Sequence, residues 1–117
     1  MKQKENKSLL LEYVGDTPQL RILDFFIGNH FFDFPLTEIA REAEVSYNSL
    51  KAVLPKFLER NILIKSRRVG KSDYYKFNME NTFVKNIIKI SWSLTKSDIL
   101  GEDALAKSIK SKQLIPA

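Results

Sequence analysis

Residues 61–90 hold seven Lys/Arg against two Asp/Glu, whereas residues 1–60 hold eight against nine and residues 91–117 four against three. The whole excess behind the net charge of +5 therefore lies in about a quarter of the chain. A basic surface concentrated on one projection is the electrostatic footprint expected of phosphate binding. Its strongest members are Arg67 and Arg68, next to Gly70, Lys71 and Ser72. Paired arginines at a hairpin tip can fork onto phosphates or enter a narrow minor groove. Lys65, Lys76, Lys85 and Lys89 are weaker signals, since lysines also line the solvated face of an edge ribbon. Catalysis lacks its parts. There is no Cys, one His, four scattered glycines without a phosphate-cradling loop, and no carboxylate pair in a setting that would separate two pKa values. Without Cys or clustered His, soft-metal sensing is also disfavoured, and no cofactor is expected.

The elements that must position these groups begin with Leu36 to Arg60. Leu36, Ile39, Ala40 and Ala43 fall at i, i+3, i+4 and i+7, the spacing of one helical face. Thr37 is the expected N-cap, with Glu38 in the first turn. After Glu44 and Val45 a second cap, Ser46, opens a helix whose apolar face is Leu50, Val53, Leu54, Phe57 and Leu58. Two helices so closely joined cross steeply, and Ala40 is the small residue their approach requires. Glu44 stands at the turn, and if that position needs positive φ a non-glycine residue there costs roughly 1 kcal/mol or more. Pro55 predicts a kink, because it removes a backbone bond and crowds the carbonyl of Lys51. From Ile62 to Asn78 two β-rich runs flank the glycine turn and predict a hairpin.

Helix, turn, second helix and basic hairpin, in that order, resemble the winged helix-turn-helix superfamily over about residues 17–90. The pattern is most similar to compact archaeal-type regulators, which open with a Thr-Pro-Gln-x-Arg-Ile-Leu-like helix as Thr17 to Leu23 does here. That resemblance implies an α+β, mainly α fold with a three-helix core, a β-hairpin wing and an extra C-terminal helix. It implies a sequence-specific regulator that binds double-stranded DNA as a homodimer. The second helix of the motif would enter the major groove, where Asn48 suits adenine, Lys51 suits guanine or phosphate, and Tyr47 suits a thymine methyl or a phosphate oxygen. Ser46 and Ser49 would bind phosphate through their hydroxyls or the helix N-terminus, with Lys56 further along and Arg67, Arg68 and Lys71 on the wing. The alternatives are an ordinary helical hairpin, a winged-helix module that holds a protein partner, and a plasmid or viral replication or partition protein.

At 117 residues the chain has single-domain length, and 44% hydrophobic with 28% charged residues is a globular composition. It divides into an N-terminal arm at 1–16, the winged domain at 17–80, a dimerisation helix at 81–94 and a short helix or tail at 95–117. Thr17 and Pro18 start the first helix, whose inward stripe is Leu20, Leu23, Phe26 and Ile27. Leu9 to Val14 is open between extended and helical. Phe31, Phe32 and Phe34 are expected to wedge that helix against the motif, and His30 to be a surface or loop residue. Asn81 or Thr82 caps the last helix, which is too apolar to lie free. Phe83, Ile87, Ile90 and Leu94 form the stripe that the resemblance assigns to a two-fold interface. No bilayer-spanning run is present, and Glu12 cuts the leading apolar run short of a secretory signal, so a cytoplasmic protein is expected. Zero cysteines agrees with that compartment. The effector, if the protein has one, is not legible.

Overall fold

The computed structural model describes residues 8–96. The expectations for residues 1–7 and 97–117 lie outside that range. Helix α1 (Leu9–Val14) resolves the open stretch in favour of helix, capped where the Ser8 hydroxyl accepts from the Leu11 amide. Leu10 and Leu11 are buried, so this part of the expected arm belongs to the folded body. Helix α2 (Pro18–Gly28) starts as expected, with Thr17 Oγ1 accepting from the Leu20 amide and Pro18 at its N-terminal end. Its buried stripe is Ile22, Leu23 and Phe26, with Leu20 and Ile27 only partly covered. The inward face is thus turned from the expected one, with Ile22 fully buried in the main core.

Strand β1 (Phe34–Pro35) leads directly into α3 (Leu36–Ala43). Pro35 holds the cap position without a side-chain bond, so Thr37 lies inside the helix instead of capping it. Ile39, Ala40 and Ala43 are buried as their spacing predicts. Glu44 ends α3 in the left-handed region at φ 59°, the turn geometry foreseen for that position. Helix α4 (Tyr47–Glu59) is capped by Ser46 and continues through Pro55, burying Leu50, Leu54 and Phe57.

Strands β2 (Leu63–Val69) and β3 (Ser72–Phe77) form the hairpin around Gly70 and Lys71. Gly70 takes φ 62° at the first loop position, which only glycine adopts without strain, in keeping with a type II′ turn. The sheet order is β1-β3-β2, all antiparallel, and β1 is the element the sequence did not announce. Phe34 opposite Tyr75 carries the sheet into the core, where Phe26 stacks on Phe77 at 5.5 Å and Phe25 meets Phe34 edge-on at 4.8 Å. Phe31 and Phe32 do the opposite of what was expected and stand exposed, at 75% and 63%. The reason is local. Pairing of β1 with β3 sends Phe34 inward, and the short turn after α2 leaves its two neighbours on the outside.

The last helix, α5, is described over residues 82–96. Asn81 caps it through Oδ1 to the Val84 amide, and its Nδ2 donates to the carbonyls of Arg60 and Asn61. One side chain therefore fixes the start of α5 against the turn that follows α4. Val84 and Ile87 join the core, whereas Phe83, Ile90 and Trp92 remain exposed. Ile87 thus leaves the expected interface stripe, being 8% exposed within its own chain. No helix among the described residues is long and apolar enough to cross a membrane.

Candidate nucleic-acid interface

The exposed side of α4 gathers Tyr47, Asn48, Lys51 and Lys56, none of them claimed by the core. Lys51 Nζ lies 5.5 Å from the Tyr47 ring centroid, so the two share one patch. Ser46 is partly committed. Its hydroxyl accepts the Ser49 amide at 3.0 Å and donates to Ser49 Oγ at 2.9 Å, which holds the first turn rigid. The helix N-terminus is set by a residue outside the motif. Arg21 on α2 donates to the Glu44 carbonyl at 3.0 Å and holds Asp16 through two bonds, of 2.6 and 3.0 Å. The guanidinium thereby satisfies the carbonyl of a strained turn residue, and its bond to Asp16 raises its pKa above the ordinary arginine value.

A groove of about 200 Å³ separates α4 from the wing, lined by Leu36, Thr37, Tyr47, Lys71, Ser72 and Asp73 among others. Tyr47 and Lys71, far apart in sequence, thus face the same space. Lys51, Lys56 and Lys71 have no acidic partner among the described residues.

The two wing arginines are less free than their sequence suggests. Ser66 is an extra residue between Lys65, opposite Tyr75, and Arg67, opposite Tyr74. The bulge carries Arg67 to the side of Tyr74, where its guanidinium lies 4.7 Å from the ring centroid and reaches Asp33 at 2.9 and 3.3 Å. Ser66 donates to the same carboxylate at 2.6 Å. The bonds from Arg67 and then Ser66 hold the Asp33 carboxyl below the usual carboxylate range. On the other side of the ribbon Asp73 lies 3.3 Å from Lys65 and 3.8 Å from Arg68. Sequence reasoning missed Asp33, Tyr74 and Arg21, since a bulge carries no local signal and a lone acidic residue in a loop looks like any other.

No family model and no curated protein sequence matches the chain. Solved structures do. The chain is similar to the AntR antimony-specific transcriptional repressor, with a TM-score of 0.57 at 16% identity over 80% of this chain and 79% of that one. It is similar to the transcriptional regulator HlyU from Vibrio vulnificus CMCP6, with a TM-score of 0.53 at 21% identity over 80% and 93%. It is also similar to Sso10a-2, a DNA-binding protein from Sulfolobus solfataricus, with a TM-score of 0.51 at 13% identity over 86% and 100%. A helix pair joined at a left-handed turn, a three-stranded sheet ending in a two-residue hairpin and these structural neighbours together show that the chain has the winged helix-turn-helix fold.

Proposed function

We propose that the protein is a sequence-specific, duplex-DNA-binding transcriptional regulator that acts as a homodimer. Helix α4 enters the major groove and the wing grips the minor groove or flanking phosphates. The observation that carries this reading is the groove shared by Tyr47 at the start of α4 and Lys71 at the wing turn. A duplex laid across it meets base-reading and phosphate-binding groups at once. The neighbours' own descriptions as a repressor, a regulator and a DNA-binding protein support the same class. Asn48 pairs with a base, Ser46, Ser49, Lys51, Lys56 and Lys71 serve phosphates, and Arg67 and Arg68 reach DNA after exchanging Asp33 and Asp73 for phosphate. The exposed Phe83 and Ile90 on α5, with half-buried Leu94, supply the two-fold contact. A reducing cytoplasm is the matching compartment, and catalysis has no part in the account.

One pair of variants tests the division of labour. Asn48→Ala should cost about 1–3 kcal/mol on a selected site and little on random duplex. Arg67→Ala with Arg68→Ala should weaken both alike and reduce the salt slope by roughly one unit per lost phosphate contact. Selected sites should contain two half-sites about one helical turn apart. Equal losses on both DNAs for Asn48→Ala would remove the base-reading role from α4. One observation favours a protein partner as a second reading, namely the exposed Phe31 and Phe32 beside an otherwise well-packed body. Absence of duplex binding would leave that reading standing.

A further inference from the structure

The C-terminal part of α2 and the residues of α5 from Ile88 onward line a groove of about 610 Å³ to which α4 contributes no residue. That is the size of a small-molecule site, typically about 300–1,000 Å³. Its walls are Ile27, Ile88 and Trp92, and its polar members are Asp24, His30 and the hydroxyls nearby. We propose that this groove binds a small organic cation, an amine carried on an apolar or aromatic body. The reading does not depend on DNA binding.

The sign of the charge comes from three features that point the same way. Asp24 is the one charged residue lining the groove, and it has no ion-pair partner among the described residues. Burial pushes its carboxyl above the usual carboxylate range, and a bond with Ser8 opposes this only in part. A desolvated carboxylate gains most from an opposite charge brought within a few ångströms, and it repels an anion at the same place. The groove also lies at the C-terminal end of α2, where the helix dipole is negative. Finally, His30 Nδ1 lies 2.9 Å from the Ile27 carbonyl oxygen. A carbonyl only accepts, so Nδ1 carries a proton, and Nε2 is a further acceptor whenever the ring is neutral. Carboxylate, helix end and imidazole all call for a donor, and Trp92 offers a ring face that an ammonium group can lie against.

Trp92 is the only tryptophan in the chain, so its fluorescence reads this groove alone. The test titrates the full chain, without DNA, with 2-phenylethylamine and separately with 3-phenylpropionate, which share a ring and differ in charge. A saturable change in emission is expected with the amine and none with the acid. Asp24→Asn should raise the amine concentration at half-saturation at least tenfold. That substitution removes a charge the fold holds at a cost, so circular dichroism should show the variant folded. The acid binding as well as the amine would overturn the proposal, and the wild-type comparison alone decides this should the variant fail to fold. So would an unchanged midpoint in Asp24→Asn, or no saturable response up to on the order of 10 mM, beyond the range of weak specific sites. An emission that changes with dilution and ignores the amine would assign the groove to a second copy and overturn it as well.

Discussion

Ile87 and Ile90 stand one turn apart on α5 and should respond differently to the same truncation. Ile87 is 8% exposed and packed in the core, so Ile87→Ala should lower folding stability by about 2–5 kcal/mol. Ile90 is 52% exposed, and a surface truncation costs a dilute monomer about 0.5 kcal/mol or less. Its effect should appear in association instead. Burying a whole isoleucine side chain is worth about 1.5–3 kcal/mol, and about half of Ile90 is left to bury, so each copy contributes roughly 0.75–1.5 kcal/mol. A two-fold interface counts the residue twice, giving about 1.5–3 kcal/mol. The dimer dissociation constant of Ile90→Ala should therefore rise roughly 10- to 150-fold. Sedimentation at a series of concentrations measures that constant, and urea unfolding of dilute protein measures stability. An unchanged dissociation constant would take Ile90 out of the interface. A loss of stability equal to that of Ile87→Ala would refute the division of α5 into a core face and a partner face.

Two further variants probe the elements that shape the surface proposed to meet DNA. Glu44→Gly relieves about 1–2 kcal/mol of left-handed strain against up to about 1 kcal/mol of added chain entropy, while the half-exposed contact with Arg21 counts for little. Urea unfolding should show a gain of about 0.5 kcal/mol, and a clear loss would mean that the Glu44 side chain matters more than its backbone. Asp33→Asn should remove the carboxylate that competes with phosphate for Arg67 and so tighten DNA binding at a fixed salt concentration, and an unchanged affinity would mean that Arg67 makes no phosphate contact. Because the folded Asp33 carboxyl titrates below its unfolded value, its stabilisation is present above about pH 4 and lost as pH falls through the lowered folded value. The difference in stability between wild type and Asp33→Asn should therefore vanish in acid, and a gap that persists there would deny the clasp.

What was legible in the sequence is what depends on local periodicity. The stripe from Leu36 to Ala43, the cap at Ser46 and the glycine turn at Gly70 each act over a few residues, and each produced the element it announced. Elements that depend on distant partners were not legible. Phe34 and Pro35 become a strand only because β3 offers them an edge, and that pairing decides that Phe34 goes in while Phe31 and Phe32 stay out. The bulge at Ser66 changes which face Arg67 occupies, so counting along β2 could not reveal its partner Asp33, 34 residues away. The band on α5 read as uniformly apolar because periodicity does not distinguish a face covered by one's own core from a face left for a partner. Arg21 stood in the opening-helix motif with no role attached, since that role is to meet a backbone carbonyl across the fold.

The most direct test of the central claim is the equilibrium constant for duplex DNA as a function of salt. Lys51, Lys56 and Lys71 are free of acidic partners among the described residues, which gives three candidate phosphate contacts per copy. A dimer using these lysines alone should show log K falling against log salt with a slope of roughly −5, at about 0.9 per contact, and engagement of Arg67 and Arg68 steepens it further. A flat dependence, or no binding at roughly 50 mM salt, would contradict the assignment of this surface to DNA.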